Sequence, residues 1–155
     1  MSPARMIGTW ENQSPMNTFI DTGAFYALAD RSDSYHSAAS KYYADALTDN
    51  RFFTTSFALV ESWLLIRNKL GYDAAQNFLG AIRKGIVTIT DVSAADLDKA
   101  WTILNTYADQ EFSLVDAVSF AVMERLKVTN AFAFDEHFRL YRFGARKELL
   151  FTLVP

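Results

Sequence analysis

A short apolar strand that runs directly into an acid is the feature that most constrains this chain. Residues 17–28 read NTFIDTGAFYAL, so an apolar segment ends at Asp21 and a helix-like apolar run follows Gly23. Ligands of open α/β sheets bind in the crevice beyond the carboxyl ends of the strands. Asp21 is therefore a candidate site residue, although Asp is also a common N-cap residue and could simply cap the next helix.

The rest of the chain alternates short strand-like segments with helical ones. Turn residues, helix-capping signals and apolar periodicity predict strands over residues 17–20, 51–55, 86–90, 131–134 and 149–154. The same signals predict helices over residues 24–29, 35–47, 56–70, 73–84, 93–108, 113–127 and 136–142. One or two helices between successive strands imply crossover connections. The sequence therefore predicts an α/β protein with a mostly parallel sheet and helices on both faces.

Length and composition indicate one globular domain. The chain has 155 residues, of which 50% are hydrophobic, and this is enough for a real core. Residues 1–15 contain two prolines and show no periodicity, so we expect a tail outside the core there and a single domain over residues 16–155. The chain has no cysteine, which excludes disulfides, thiolate zinc sites and a cysteine nucleophile. Any metal must be bound by oxygen or histidine.

Charge and hydropathy narrow the possible partners. The net charge of −3 gives no broad basic footprint for nucleic acid, but a bound divalent cation can reverse the local sign of an acidic pocket. The sequence contains no run of about 18 apolar residues, so it does not indicate a membrane-spanning segment. The first residues lack the apolar core of a signal peptide. We therefore expect a cytoplasmic protein with no membrane partner.

Glu61 is the acid that is hardest to explain by structure alone. On the predicted helix over residues 56–70, its neighbours at i±3 and i±4 are Phe57, Ala58, Leu64 and Leu65, so its carboxylate is expected on an apolar face. No Lys or Arg occupies those positions. A buried carboxylate must be paired, protonated or bound to a metal, and this favours a functional role for Glu61.

Two further acids have both a capping and a functional interpretation. Ser113 and Asp116 match the capping-box pattern at the start of an apolar helix, yet an acid at a buried helix N-terminus can also point into a site. Asp135 follows the apolar segment AFAF as Asp21 follows its own strand, and it could cap the short helix after it. If the two strands are parallel neighbours, Asp21 and Asp135 emerge at the same edge of the sheet.

Four acids at one edge would repel each other unless a cation neutralised them. Oxygen ligands suit Mg²⁺ or Mn²⁺. Such an ion can activate water and stabilise the charge on a phosphodiester. The predicted metal ligands are Asp21, Glu61, Asp116 and Asp135.

These segments together resemble a known family. FIDTGAFYAL, FALVESWLLI, DQEFSLVDAVSFAVM and AFAFDEHF, in that order, are similar to the motifs of PIN-domain ribonucleases, particularly the toxins of VapC-type toxin–antitoxin pairs. The resemblance covers residues 17–143. It implies an α/β/α sandwich around a five-stranded parallel sheet, and a metal-dependent endoribonuclease that binds RNA and forms a homodimer or an antitoxin complex.

The resemblance also assigns roles to individual residues. The family's acids fall on the four predicted metal ligands, its hydroxyl residue before the third acid falls on Ser113, and Thr22 is a possible auxiliary to Asp21. It does not distinguish a toxin from a PIN-fold nuclease that processes RNA. The early aromatics Phe25, Tyr26, Tyr42 and Tyr43 are candidates for a partner-binding patch.

Other interpretations remain open at this point. Asp21, Thr22 and Gly23 also form the signature tripeptide of aspartic proteases, which would require a homodimer with an all-β fold. The acids could also be helix caps in an α/β interaction module without enzymatic activity. His137 is expected to have a surface or capping role, although it could approach a substrate. The large aromatics, including Trp63 and Trp101, are expected in the core.

Overall fold

A single five-stranded sheet organises the chain. In a computed structural model of the protein, residues 15–155 are described, so nearly all of the predicted tail over residues 1–15 lies outside the described residues. The strands are β1 (Met16–Ile20), β2 (Asn50–Thr55), β3 (Val87–Thr90), β4 (Asn130–Phe132) and β5 (Thr152–Val154). The helices are α1 (Thr22–Ala29), α2 (His36–Ala46), α3 (Ser56–Leu70), α4 (Tyr72–Arg83), α5 (Ala94–Thr106), α6 (Leu114–Leu126) and α7 (His137–Leu140), with a 3-10 turn at Ala108–Gln110.

The strand order creates a crevice beside β1. All pairs are parallel and the order is β3-β2-β1-β4-β5. From β1 the chain continues towards one edge of the sheet, whereas from β4 it continues towards the other. The boundary between β1 and β4 is therefore a topological switch point, where open α/β sheets bind ligands at the carboxyl ends of the strands.

Two apolar cores cover the two faces of the sheet. Successive strand residues point to opposite faces, so Phe19 packs with α5, α6 and α7 while Ile20 packs with α1, α2 and α4. Phe53 and Phe52 divide in the same way on β2. The predicted three-layer α/β/α sandwich with a five-stranded parallel sheet is confirmed, and it excludes the all-β fold that the protease interpretation requires.

Most elements match the predicted ones, with differences at their ends. Gly71 ends α3 and precedes α4. Its φ is +98°, a backbone conformation that a residue with a Cβ rarely adopts. Helix α1 begins at Thr22, two residues before its predicted start. Strand β4 ends at Phe132, two residues before its predicted end, because its partner β5 stops at Val154. Asp135 therefore lies in a loop beyond the strand.

The prediction that all the large aromatics are core residues is wrong for Trp101. Its side chain is 70% exposed, because α5 packs through Ala100 and Ile103, and Trp101 lies about 100° further round the helix. Trp63 is half-buried. Among the early aromatics, Phe25 is buried. Tyr26, Tyr42 and Tyr43 are half-buried.

One groove beside these aromatics is apolar. Phe25 and Tyr43 line it together with Phe78 and Ile82 of α4, and its volume is about 400 Å³. Within residues 15–155, no helix has the length and apolar character needed to cross a bilayer.

Candidate active site

Asp21 lies at the carboxyl end of the central strand and is almost fully buried. It occupies the N-cap position of α1 in an extended conformation, but its side chain makes no capping hydrogen bond. Its backbone N–H donates to the Phe132 carbonyl at 3.0 Å, which places it at the switch point between β1 and β4. Burial, and next the charge of Asp116, raise the pKa of Asp21 from 3.8 to about 7. Simple helix capping does not account for this carboxylate.

The geometry of Asp116 fits both of the interpretations that the sequence left open. Ser113 and Asp116 form a reciprocal capping box at the start of α6, in which Asp116 N–H donates to Ser113 Oγ at 3.0 Å and Ser113 N–H donates to Asp116 Oδ2 at 3.1 Å. The same Oδ2 lies 2.7 Å from Nδ1 of His137. The carboxylate therefore caps its helix and also faces the switch point.

Asp135 and His137 approach from the loop after β4. Asp135 Oδ1 accepts the backbone N–H of His137 at 2.9 Å, so the predicted capping role of Asp135 coexists with a position beside Asp116. Nδ1 of His137 is 3.6 Å from the same oxygen. Burial lowers the pKa of the His137 imidazole, but the hydrogen bond to Asp116 and the charges of Asp135, Asp116 and Asp21 outweigh it and raise that pKa overall.

Glu61 on α3 and Thr22 on α1 lie close to each other and near these acids. Glu61 on α3 is half-buried, and its apolar surroundings are an open groove in which Leu64 is 53% exposed. Burial raises the pKa of Glu61, the charges of Asp116 and Asp135 add to the increase, and the Thr22 hydroxyl opposes it. Thr22 is buried in the first turn of α1. The structure therefore places all six predicted site residues around one edge of the sheet.

The site residues are not all equally close to one another. Asp116, Asp135 and His137 each offer a ligand atom within 4.8 Å of the others. In the described part of the chain, Asp21 and Glu61 lie outside this compact group, although their pKa values respond to its charges. No Lys or Arg among residues 15–155 forms an ion pair with any of the four acids. The site thus has an excess of negative charge and one imidazole.

His137 is the site residue that sequence reasoning undervalued. The sequence shows that it lies two residues after Asp135. Its contact with Asp116, however, depends on how the loop after β4 folds onto α6. Asp109, four residues before Ser113, is exposed and accepts a hydrogen bond only from its neighbour Gln110 among the described residues. It takes no part in the site.

Comparison with known proteins agrees with this geometry. The PIN domain family matches residues 18–144, which include every predicted site residue. The chain belongs to the PIN domain family. The 23S rRNA-specific endonuclease VapC20 of Mycobacterium tuberculosis is 36% identical over 121 residues, spanning 77% of this PIN domain protein and 90% of the relative. Ribonuclease VapC26 of the same organism is 27% identical over 141 residues, or 88% and 98% of the two chains. The predicted resemblance to VapC-type PIN proteins is thus confirmed.

Solved structures share the same fold. The crystal structure of Mycobacterium tuberculosis VapC20, described as a Sarcin-Ricin loop cleaving toxin, superposes with a TM-score of 0.71 and 31% identity over 77% of this PIN domain protein and 90% of that chain. VapBC2 from Rickettsia felis, bound to a DNA fragment from its promoter, gives a TM-score of 0.64 at 14% identity over 90% and 100% of the two chains. The second likeness concerns the fold alone.

Proposed function

We propose that this PIN domain protein is a metal-dependent endoribonuclease that hydrolyses RNA phosphodiesters and acts as the toxin of a toxin–antitoxin pair. The observation that carries the proposal is Asp21, a buried carboxylate that has no capping or ion-pair partner among residues 15–155 and that lies at the switch point, within the field of three further acids. The names of the relatives support RNA as the substrate, since VapC20 and VapC26 are an rRNA endonuclease and a ribonuclease.

The residues at the site fit a hard divalent cation. Ionised carboxylates can share a buried pocket only when positive charge compensates them, and the ion pairs of the described residues supply none except through His137. Their donor atoms are oxygens, which suit Mg²⁺ or Mn²⁺. We propose that Asp21, Glu61, Asp116 and Asp135 hold the cation. When bound, it would supply Lewis-acid activation of water and stabilise developing charge on the phosphate.

The remaining predicted residues act on these acids. Ser113 fixes Asp116 through the two hydrogen bonds of the capping box. Thr22 lies beside Glu61, where its hydroxyl favours the ionised carboxylate. Burial raises the pKa of Asp21 to about 7, so a bound cation would take the place of the proton that this carboxyl otherwise holds.

The partners and the location belong to the same proposal. A toxin requires an antitoxin that restrains it, and the VapC20 structure is described as a toxin. We also propose that the chain forms a homodimer and an antitoxin complex, that it is cytoplasmic, and that its domain begins at residue 16. Light scattering of the purified chain tests the homodimer, which predicts twice the 17.5 kDa chain mass.

RNA cleavage measured with matched variants tests the activity. The wild-type protein should cleave RNA in Mg²⁺ or Mn²⁺ and lose that activity in excess chelator. Ribosomal RNA is included among the substrates because the VapC20 name specifies 23S rRNA. Asp21→Asn and Asp116→Asn should each lower the cleavage rate at least 100-fold, on the order of the loss expected for a group that stabilises the transition state.

Asp109→Asn is the matched control, because it makes the same change on an exposed acid outside the site. Its cleavage rate should equal that of the wild type. Full activity of Asp21→Asn, or of the wild type in excess chelator, would contradict the proposed chemistry.

An RNA-processing PIN nuclease is the second candidate, because the site geometry is the same for both. Induced expression in a bacterial host separates the two. A toxin should arrest growth, the Asp21→Asn variant should not, and co-expression of a small protein encoded next to the gene should restore growth. Normal growth with active wild-type enzyme would favour the processing role.

A further inference from the structure

The two oxygens of the Asp116 carboxylate have different environments. Oδ2 lies within hydrogen-bond distance of two nitrogens, the Ser113 backbone N at 3.1 Å and the His137 Nδ1 at 2.7 Å. Among residues 15–155, no donor binds Oδ1. A carboxylate oxygen only accepts hydrogen bonds, so His137 carries a hydrogen on Nδ1. The protein thus holds one oxygen of Asp116 and leaves the other free.

His137 also binds the second acid of this group. Its backbone N–H donates to Asp135 Oδ1 at 2.9 Å, and its Nδ1 is 3.6 Å from that oxygen. Asp116 belongs to α6 and Asp135 to the loop after β4, so this one residue joins two separate elements of the site. No other residue in the described range contacts both carboxylates through hydrogen bonds.

The surroundings of His137 hold the ring in this place. The Phe112 ring packs against the imidazole with the centroids 5.1 Å apart, in an edge-to-face arrangement. The next residue, Phe138, is fully buried and anchors the backbone of α7 in the core. The imidazole therefore packs against Phe112, and the buried neighbour Phe138 anchors its backbone.

We propose that His137 is a positioning residue that fixes Asp116 and Asp135 relative to each other for a divalent cation, through its Nδ1–H and its backbone N–H. The inference rests on the proposed function, because it requires a cation at the acids. Hydrogen-bonded partners of metal ligands typically contribute 10- to 100-fold to metal affinity. His137 is expected to act through Asp116 and not as a ligand itself, because the nitrogen that faces the acids is already a donor.

Titration of the full chain with Mn²⁺ in the absence of RNA, followed by calorimetry, tests this role. His137→Asn retains a side-chain N–H donor near the position of Nδ1 and should bind Mn²⁺ with close to wild-type affinity. His137→Gln places its amide near the position of Nε2, and His137→Phe packs on Phe112 without a donor. Both should bind Mn²⁺ about 10- to 100-fold more weakly. If His137→Phe does not fold, as judged by circular dichroism, the Asn and Gln variants decide the outcome.

The possible results separate this inference from the proposed function. Equal or stronger Mn²⁺ binding by His137→Gln and His137→Phe would overturn the positioning role alone. A ¹⁴N coupling from the imidazole in the electron paramagnetic resonance spectrum of the bound Mn²⁺ would show that His137 is a ligand and would also overturn it. Absence of Mn²⁺ binding by the wild-type chain would overturn the proposed function and this inference with it.

Discussion

When no cation is present, protonation of Asp21 stabilises the folded protein. Its side chain is 4% exposed, and burial with the charge of Asp116 raises its pKa from 3.8 to about 7. Between these values the folded protein binds a proton that the unfolded chain has released. Stability must therefore fall as pH rises from about 4 to about 7. Glu61 and His137, whose pKa values are also raised, act in the same direction.

This linkage predicts a measurable slope in chelator. The free energy of unfolding of the wild type should decrease between pH 4 and pH 7, with Asp21 contributing up to about 4 kcal/mol at about 1.4 kcal/mol per pKa unit. Asp21→Asn should show a smaller slope, because its side chain does not titrate. Denaturant unfolding at several pH values measures both.

Asp109→Asn is again the control and should retain the wild-type slope. Adding Mn²⁺ near pH 8 should raise the free energy of unfolding of the wild type by mass action. The increase should be much smaller for Asp21→Asn. Equal slopes for the wild type and Asp21→Asn would show that the pKa of Asp21 is not raised in the folded protein.

At the scale of elements, an ion pair joins the two helices that carry one face of the sheet. Nε of Arg125 on α6 donates to Asp96 Oδ1 at 2.8 Å, and a second guanidinium nitrogen donates to Oδ2 at 2.9 Å. Asp96 is buried and also closes the capping box of α5 with Ser93. This bidentate contact fixes α5 against the last turn of α6, at the end opposite Asp116.

Asp96→Asn should lower the free energy of unfolding by about 1–3 kcal/mol. The substitution keeps an oxygen for the Ser93 N–H but removes the charge that pairs with Arg125, whose 42% exposed side chain limits the loss. The cleavage rate per folded molecule should not change, since the pair is remote from the acids. Chemical denaturation and the RNA assay measure the two effects.

Asp98→Asn makes the same change on an exposed acid of the same helix and should leave stability within about 0.5 kcal/mol of the wild type. A loss in Asp98→Asn as large as that in Asp96→Asn would show that the ion pair is not the cause. A reduced cleavage rate in folded Asp96→Asn would show that α5 also influences the site.

The elements also show what local sequence can and cannot predict. The capping boxes at Ser93 and Ser113 and the stop at Gly71 are local chemistry. They lie at the predicted starts of the helices over residues 93–108 and 113–127 and at the predicted end of the helix over residues 56–70. The end of β4 and the exposure of Trp101 depend on partners that are distant in sequence. Neither could be predicted from apolar periodicity alone.

At the scale of the whole molecule, the strand order brings the site together. Periodicity predicted five strands and a parallel sheet but contained no information on their order. The order β3-β2-β1-β4-β5 places β4 next to β1, and this brings Asp135 near Asp21 although they are far apart in sequence. The resemblance to PIN ribonucleases implied a metal-binding role for the four acids, and this stays a prediction. It did not include His137, whose proposed role depends on the contact between the loop after β4 and α6.

Anomalous scattering from a crystal grown with Mn²⁺ tests most directly whether these acids hold a divalent cation at the end of β1. We expect an anomalous peak within coordination distance of Asp21 and Asp116 in the wild type, and none at that position in an Asp21→Asn crystal grown in the same way. If the wild-type protein cleaves RNA in Mn²⁺ and its crystal shows no peak beside these carboxylates, the acids do not hold the cation.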